Sequence, residues 1–293
     1  MNNVKIAYLL LVHSNVEQIN LFVNQLLNYG ECDIYIHVDK KNEKLLDKIT
    51  KADRIKCVSI YEVNWGSSEI VKATIELMKL ARNSNNTYSH IYFGSGQDLL
   101  IKKGLYEYLR NNPDNIFIKI ENKVESSDFG AARFMICWPR WTMVRGNSSI
   151  KRYIRQCLFV LFKFGIKIFP NKKKLAREVV FYRGRTWFIA PWKILDYILN
   201  YLEQNPDYLE FWEDSLAPDL MFFQTLIMNS PYSSDVLDEL MYVKFGETFK
   251  TKNHPLLITL DMIKEIENEN YYCARKFDLS KDKEVYMKIL SQI

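Results

Sequence analysis

Polar side chains follow four short apolar runs in the first third of the chain, and these polar residues could do chemistry. They include His13, Asp39, Trp65, Ser95, Gln97 and Asp98. Each apolar run has the length and composition of a buried parallel strand. Because open α/β sheets bind ligands at the carboxyl ends of their strands, we expect these side chains to line a nucleotide-sized site. The alternative for His13 is a structural histidine whose ring nitrogens are satisfied within the protein.

The stretch around Gly94 and Gly96 is the most informative of the four. Two glycines at the end of a strand let the backbone approach a ligand closely, because no Cβ atom intervenes. Asp98 follows them as a carboxylate within reach of such a ligand. A glycine-rich turn capped by Asp98 is the alternative interpretation, and the stretch alone does not decide between the two.

The elements that would position these residues alternate between strand and helix. Helical patterns, including a short helix over residues 99–109, separate strands predicted at residues 4–12, 33–38, 54–60, 91–93 and 115–120. This alternation predicts an α/β fold with a mainly parallel sheet flanked by helices, in one compact domain over residues 1–293. The chain contains neither a GxGxxG motif nor a Walker lysine motif, which argues against a dinucleotide enzyme or a P-loop NTPase.

Composition limits the partners and the compartment. The chain has 40 basic and 35 acidic residues and a net charge of +5, a balance that argues against nucleic acid as the main partner. The five cysteines show no CxxC spacing, so they predict neither a disulfide framework nor a zinc site and fit a reducing cytoplasm. The amino terminus has the pattern of a strand rather than a signal peptide, and no apolar run reaches the ~18–20 residues of a membrane span. We therefore expect a cytoplasmic protein that is soluble or peripheral at the inner face of the plasma membrane.

Residues 149–177 form a basic amphipathic segment. Nine Lys and Arg residues alternate there with apolar residues that include four phenylalanines. Such a segment can lie in a membrane interface and attract anionic lipid. The alternative is an ordinary helix that packs on the core and leaves its lysines in solvent.

The second half of the chain supplies carboxylates and cations. Pro218 suits the first turn of a helix, and Asp219 then lies where the helix dipole stabilises its ionised form. Two more carboxylates, Glu213 and Asp214, precede this turn. Residues 178–190 predict a strand pair facing the cleft, with side chains Arg183, Arg185 and Trp187.

Taken in chain order, these motifs resemble the core-2/I-branching family of glycosyltransferases, which includes branching N-acetylglucosaminyltransferases and peptide xylosyltransferases. The likeness lies in residues 6–13, 37–40, 65–66, 95–98, 184–188, 218–225 with 229–231, and 274–278. The resemblance implies a GT-A type fold, a UDP-sugar donor, inversion at the anomeric carbon, and basic side chains in place of a metal ion. The sequence agrees on the metal, because it contains no Asp-x-Asp motif.

The resemblance also implies catalytic roles. Lys276, with Arg275 beside it, corresponds to the family's diphosphate lysine, where positive charge offsets the charge that develops on the leaving group. An ordinary surface Arg-Lys pair is the alternative. The family's general base is a glutamate directly after Pro-Asp, but this chain has Leu220 there. We expect Asp219 to be the base instead, with Asp214 and Glu213 next in line; the alternative is that Asp219 only stabilises the helix start.

A second departure falls at Met241, where relatives tend to carry an arginine for the diphosphate. Lys244, Lys250 or Lys252 could replace that arginine. Because two catalytic positions differ, the second interpretation is a homologue that binds a nucleotide-sugar or glycan without transferring it. A nucleotide-binding protein of unrelated chemistry is the third and weakest.

The leading interpretation is a bacterial-type glycosyltransferase that builds a surface polysaccharide or glycolipid. The first half of the chain, about residues 1–125, would bind the nucleotide-sugar. The second half, about residues 126–293, would bind the acceptor and carry the catalytic base. The donor would be UDP-linked N-acetylglucosamine, xylose, galactose or glucose, with no metal or other cofactor. Arg183, Arg185 and Trp187 would line the acceptor side, where the ring stacks on a sugar and the arginines meet an acidic sugar or a lipid-linked diphosphate. The alternative for Trp187 is a buried structural tryptophan.

Overall fold

The computed structural model describes residues 4–143, 149–248 and 255–293. Within these ranges the strands are β1 (Ile6–Val12), β2 (Cys32–Val38), β3 (Ile55–Val58), β4 (His90–Ser95), β5 (Leu99–Leu100), β6 (Ile116–Val124), β7 (Phe181–Pro191), β8 (Val236–Leu237), β9 (Met241–Val243) and β10 (Cys273–Arg275). Seven of them form the main sheet in the order β3-β2-β1-β4-β7-β6-β8. The other three form a small second sheet in the order β5-β10-β9.

The main sheet is parallel except at β7, which runs antiparallel to both of its neighbours, β4 and β6. Strands β1 and β2 are buried along their whole length, because their apolar sequences are covered on both faces. The predicted α/β architecture, a mainly parallel sheet flanked by helices in one compact domain, is confirmed. Strand β7 comes from the second half of the chain but lies between two strands of the first half.

Helices cover both faces of the sheet. They are α1 (Val16–Tyr29), α2 (Glu69–Arg82), α3 (Leu105–Asn111), α4 (Ala132–Met135), α5 (Ser149–Lys163), α6 (Trp192–Gln204), α7 (Pro206–Phe211), α8 (Phe222–Met228), α9 (Leu260–Glu265) and α10 (Lys283–Gln292). Helices α1, α3 and α10 pack in one apolar core, and α2, α6, α7 and α8 pack in the other. Helix α1 begins at Asn15, whose side chain accepts a hydrogen bond from the N–H of Gln18 at 3.3 Å.

The segment after Gly96 differs from the helix predicted over residues 99–109. Leu99 and Leu100 form β5, which pairs antiparallel with β10, and α3 begins only at Leu105. Both leucines are fully buried, so packing against β10 outweighs their intrinsic preference for a helix. Gly104, with φ of 97°, then turns the chain into α3. This correction matters for the site, because β5 holds β10 and its Arg275 beside the end of β4.

The strand pair predicted at residues 178–190 is one long strand, β7. Its register with β6 shifts twice between Ile118 and Asn122, which indicates a bulged, irregular pairing. Gly184 lies at this point, and a Cβ atom there would be 1.8 Å from the carbonyl oxygen of Lys119. Only glycine permits this approach of the two strands, and bulges of this kind re-aim the neighbouring side chains.

The basic segment of residues 149–177 forms α5 and then an irregular stretch. Leu158, Phe159 and Phe162 are buried in the core, as expected of a packed amphipathic helix. Phe164 is nevertheless 74% exposed and Ile150 is 68% exposed. No helix in the described ranges has both the length and the apolar composition needed to cross a membrane.

Candidate functional site

The carboxyl ends of β1, β2 and β4 form the edge at which the sequence predicts a ligand. The N–H of Asp39, just after β2, donates to the carbonyl oxygen of Val12 at the end of β1 (2.8 Å). The Asp39 carboxylate accepts from the N–H groups of Lys41 (3.1 Å) and Val63 (3.3 Å), so it shapes the loops after β2 and β3. His13 is exposed at the same edge.

A buried ion pair lies at the end of β4. The Asp98 carboxylate accepts hydrogen bonds from the Ser95 N–H (2.8 Å) and the Tyr92 hydroxyl (3.2 Å), and its Oδ1 lies 3.3 Å from Nε of Arg275. Arg275 also donates from Nη2 to the Ser95 hydroxyl at 2.9 Å. Its guanidinium lies 4.0 Å from the centroid of the Trp187 ring, which is a close cation–π contact. Four predicted site residues, Ser95, Asp98, Trp187 and Arg275, therefore form one cluster.

Burial dominates the electrostatics of this cluster. Burial raises the pKa of Asp98, against the opposing effect of the Arg275 charge and the hydrogen bonds from Ser95 and Tyr92. Burial also lowers the pKa of Arg275, and the Asp98 charge opposes this shift. Nη1 of Arg275 is buried without a hydrogen-bond partner among the described residues. A buried guanidinium with an unused donor is suited to an anionic oxygen of a ligand.

Gln18, a residue that the sequence did not single out, holds two parts of the site together. Its Nε2 donates to the carbonyl oxygens of Gly96 (2.9 Å) and Phe277 (3.0 Å), and its Oε1 accepts from the Leu279 N–H (3.2 Å). The loop of residues 94–98 at the end of β4, here called the glycine loop, is thereby fixed against the segment that carries Lys276. The sequence signal was a polar residue on the apolar side of α1, where Gln18 is 1% exposed.

The neighbouring loop residues place Gln97 and Lys276. The N–H of Phe277 donates to the carbonyl oxygen of Gln97 at 2.9 Å. Lys276 is half-buried, and its carbonyl oxygen accepts from the N–H of Ile258 at 3.0 Å. The backbone therefore brings Gln97 and Lys276 to adjacent positions around the Asp98 cluster.

Asp219 lies in a short 3₁₀ turn before α8. Its Oδ2 accepts a hydrogen bond from the Thr186 hydroxyl at 2.7 Å. Burial raises the pKa of Asp219, against the opposing effects of the Thr186 hydrogen bond and the Arg133 charge. Arg133, which the sequence did not identify, has its own pKa lowered to about 10 by burial and by the nearby charge of Arg183. A carboxylate with a raised pKa is the better proton acceptor, so this geometry suits a general base.

Glu213 and Asp214 lie in a different network. Lys72 contacts Glu213 at 2.9 Å, and Lys173 contacts Asp214 at 2.9 Å and Glu213 at 3.6 Å. The hydrogen bond from Lys72 lowers the pKa of Glu213. Glu213 is therefore a weaker proton acceptor than Asp219.

Trp65 and its loop contact the turn that leads to Asp219. The Ala217 N–H donates to the carbonyl oxygen of Gly66 at 2.6 Å. The Trp65 ring is 41% exposed, and the guanidinium of Arg155 from α5 lies 4.9 Å from its centroid. The loop after β3 thus links the carboxyl edge of the sheet with α5 and the Asp219 turn.

Both arginines predicted for the acceptor side already have acidic partners. Nε of Arg183 lies 3.5 Å from Oε2 of Glu121. Arg185 forms an ion pair with Glu239, and its guanidinium lies 5.2 Å from the ring centroid of Phe245. Glu239 is only 6% exposed, and burial raises its pKa to about 7. The sequence missed Glu239 because an acidic residue before a short strand carries no local signal.

The two family positions that differ in this chain offer no charge to the site. Leu220 packs half-buried against one apolar core, and Met241 is 4% exposed in the other. Lys244, a predicted substitute for the missing arginine, lies 3.6 Å from Glu265. The other two proposed substitutes, Lys250 and Lys252, lie outside the described residues.

Two further observations concern possible metal ligands and a cavity outside the site. In the part of the chain that the structure describes, no group of three or more His, Cys, Asp or Glu side chains could hold a metal ion. A cavity of about 740 Å³ lies elsewhere, between α6 and the segment before β7, and tyrosines Tyr197, Tyr201 and Tyr232 line part of it. Its lining includes none of the predicted site residues, so the site is defined by the clusters above.

Comparison with known proteins identifies the family of this chain. The family model "Core-2/I-Branching enzyme" matches residues 6–271, which ends just before the Arg275-Lys276 pair. Similar proteins are "Xylosyltransferase 2" of Rattus norvegicus, 23% identical over 246 residues, and "Xylosyltransferase" of Ciona intestinalis, 21% identical over 244 residues. Each alignment covers 80% of this chain but 26% of the relative, so the chain spans about a quarter of the length of these proteins. The match covers most of the chain and agrees with the GT-A type architecture expected from the sequence. The chain therefore belongs to the core-2/I-branching family of glycosyltransferases.

Proposed function

We propose that this protein is an inverting glycosyltransferase that moves a sugar from a UDP-sugar to a hydroxyl of a glycan or lipid-linked saccharide, without a metal ion, in surface polysaccharide synthesis. The observation that carries the proposal is the buried Arg275, which is fixed by Asp98 and Trp187 and keeps Nη1 unused. Lys276 follows it directly, at the edge where α/β sheets bind nucleotides. Two adjacent cations there suit a diphosphate leaving group.

In the proposed step, the acceptor hydroxyl oxygen attacks the anomeric carbon from the side opposite the diphosphate. The bond from that carbon to the diphosphate oxygen breaks, UDP leaves with the electron pair, and the carboxylate of Asp219 takes the hydroxyl proton. Arg275 and Lys276 stabilise the charge on the departing UDP. Asp219 is preferred over Glu213 because burial raises the pKa of Asp219, whereas Lys72 lowers that of Glu213.

The donor is proposed from the set of UDP-xylose, UDP-N-acetylglucosamine, UDP-galactose and UDP-glucose. UDP-xylose comes first in any panel, because the similar proteins named above are called xylosyltransferases. On the donor side, we propose that His13, Asp39, Trp65, Ser95, Gln97 and Asp98 surround the nucleotide-sugar. Of these, Asp39 and Asp98 act mainly by fixing loops, since their oxygens already accept backbone N–H bonds.

The test is UDP release from the donor panel in the presence of EDTA. Wild type should release UDP from one donor, and Asp219→Asn and Lys276→Ala should each lose at least about 100-fold in turnover. Asp114→Asn, which removes an exposed ion pair with Lys193, is the control and should keep full activity. Dependence of wild-type turnover on added divalent cation would contradict the metal-free proposal, and full activity of Asp219→Asn would place the base elsewhere.

A second candidate function follows from Leu220 and Met241, which leave two family positions without a polar group. It is a lapsed homologue that binds a nucleotide-sugar or glycan without transfer. Binding of a UDP-sugar in calorimetry, with no UDP release from any donor and acceptor combination, would favour it over the enzyme.

We also propose that the segment of residues 149–177 contacts an anionic membrane surface. Exposed apolar side chains cluster there with its basic residues; Ile150, Val160, Phe164, Ile166, Ile168 and Phe169 are each 46–74% exposed. Binding to vesicles with phosphatidylserine should fall in Phe164→Glu combined with Ile166→Glu. Met287→Glu, at a 58% exposed position on α10, is the control and should bind as wild type does. Unchanged binding of the double variant would refute the contact.

A further inference from the structure

Three ion pairs lie side by side where β6 and β7 meet the turn before β9, and we call them the acceptor ladder. They are Arg183 with Glu121, Arg185 with Glu239, and Lys119 with Asp238. Each of the three cations has one acidic partner, so the formal charge of the ladder is zero above about pH 7, where Glu239 is ionised. The ladder therefore presents no excess positive charge to an acceptor, although two arginines belong to it.

Polar atoms in and beside the acceptor ladder are buried without hydrogen-bond partners among the described residues. They are Nε of Arg183, Nε of Arg185, Oε2 of Glu239 and Oε1 of Gln224. The 3.5 Å contact of Arg183 is an ion pair rather than an aligned hydrogen bond. Gln224 adjoins the ladder because its Nε2 donates to the carbonyl oxygen of Arg185 at 2.6 Å. Buried polar atoms are rarely left unsatisfied in native proteins, so a group of them indicates a ligand or ordered water.

The unsatisfied set contains both donors and acceptors. The two arginine nitrogens can only donate, and the oxygens of Glu239 and Gln224 are acceptors. A sugar hydroxyl donates one hydrogen bond and accepts others, so it can satisfy both kinds. A carboxylate or a phosphate can only accept, and it would also meet the negative charge of Glu239.

We infer that the acceptor ladder recognises a neutral, hydroxyl-rich saccharide and selects against an anionic one. This inference rests on the proposed function, because it names the class of acceptor for that site. It replaces the expectation from sequence that Arg183 and Arg185 meet an acidic sugar or a diphosphate.

The test uses acceptor pairs that differ only at C6 of the sugar. p-Nitrophenyl β-glucoside and β-galactoside carry a hydroxymethyl group there, and the matching glucuronide and galacturonide carry a carboxylate. Binding is titrated by saturation-transfer NMR with the full chain and UDP at about pH 8, where Glu239 is ionised, so no turnover is required. We expect the neutral member of at least one pair to bind at least about tenfold more tightly than its uronide. Equal or tighter binding of the uronides, or binding of neither neutral glycoside, would overturn the inference.

Charge variants identify the residue responsible. Glu239→Gln keeps the shape but leaves Arg185 uncompensated, so the preference for the neutral glycoside should fall about tenfold. Glu121→Gln should shift the preference in the same direction through Arg183, and it covers the case that Glu239→Gln fails to fold. Asp114→Asn removes an exposed ion pair on another surface and should leave the preference unchanged. An unchanged preference in the folded Glu121 and Glu239 variants would also overturn the inference. If the wild type binds neutral glycosides selectively but releases no UDP from any donor, the proposed transfer reaction is refuted and the inferred binding preference is supported.

Discussion

The ion pair between Asp98 and Arg275 provides a quantitative test of how the donor end of the site is held. We expect Asp98→Asn to lower the free energy of unfolding by about 3–5 kcal/mol, which is the usual cost of removing one partner of a buried ion pair. Asparagine has the same shape and can still accept the hydrogen bond from the Ser95 N–H. The substitution therefore removes mainly the charge and leaves Arg275, which is 7% exposed, buried without a counter-ion.

The magnitude follows from the geometry of the pair. Nε of Arg275 and Oδ1 of Asp98 are 3.3 Å apart. At an effective dielectric constant of about 20, that separation corresponds to an attraction of about 5 kcal/mol. Desolvation opposes this attraction strongly enough that the pKa of Asp98 is raised despite the Arg275 charge, so we expect a loss at the lower end of the range. For a chain of 293 residues the loss corresponds to a fall in Tm of roughly 5–7 °C.

The assay is a double-mutant cycle in urea with Asp98→Asn, Arg275→Met and the two combined. The double variant has neither buried charge, so its loss of stability should be smaller than the sum of the single losses by at least about 2 kcal/mol. Asp114→Asn, at an exposed ion pair, is the matched control and should change stability little. A loss below about 1 kcal/mol for Asp98→Asn, or additive single losses, would refute the buried-pair reasoning.

Three further predictions concern single residues. Burial raises the folded pKa of Glu239 from 4.5 to about 7, so the folded state retains a proton that the unfolded chain releases. The free energy of unfolding of the wild type should therefore fall by about 3 kcal/mol, relative to that of Glu239→Gln, as the pH rises from about 4.5 to 7. If urea unfolding gives the two proteins parallel profiles of stability against pH, this prediction is wrong. Gly184→Ala should cost at least about 3 kcal/mol, since its Cβ would lie 1.8 Å from the Lys119 carbonyl oxygen; a Tm within about 2 °C of wild type would show that the strands can separate there. Gln18→Leu should lower the free energy of unfolding by about 2 kcal/mol and weaken UDP binding in calorimetry, because three hydrogen bonds that fix the glycine loop are lost. A variant that binds UDP as tightly as the wild type would show that other contacts hold the loop.

The fold could be predicted from sequence where local pattern and final burial agree. The apolar runs of β1, β2 and β4 are covered on both faces, so their composition alone identified them. The helix predicted over residues 99–109 was wrong because Leu99 and Leu100 pair with β10, whose Ala274 lies about 175 residues further along the chain. The strand pair predicted at residues 178–190 was wrong because the bulge at Gly184 looks like a turn in sequence but continues one strand. Both errors come from partners that a local window does not contain.

Candidate residues of the donor end were identified from sequence, but their contacts were not. Asp98 and Arg275 were both singled out, and neither pattern indicated that they pair across 3.3 Å beside Trp187. Gln18 and Arg133 were missed because their roles arise only from packing. Gln18 is a polar residue on the apolar side of α1, but its partners, the carbonyl oxygens of Gly96 and Phe277, come from distant parts of the chain.

The charge of the proposed acceptor side, which contains Arg183 and Arg185, cannot be predicted from the two arginines alone. In sequence, Arg183 and Arg185 stand one residue apart without an acid nearby, which favours an anionic ligand. In the structure, Glu121 comes from β6 and Glu239 from the turn before β9, and each compensates one arginine. Because an arginine cannot lose its proton in a protein, its effective charge at a site depends on which carboxylate the fold brings to it. Local sequence therefore predicts the strand that we propose for the acceptor side, but the charge compensation of its arginines depends on residues 54 or more positions away.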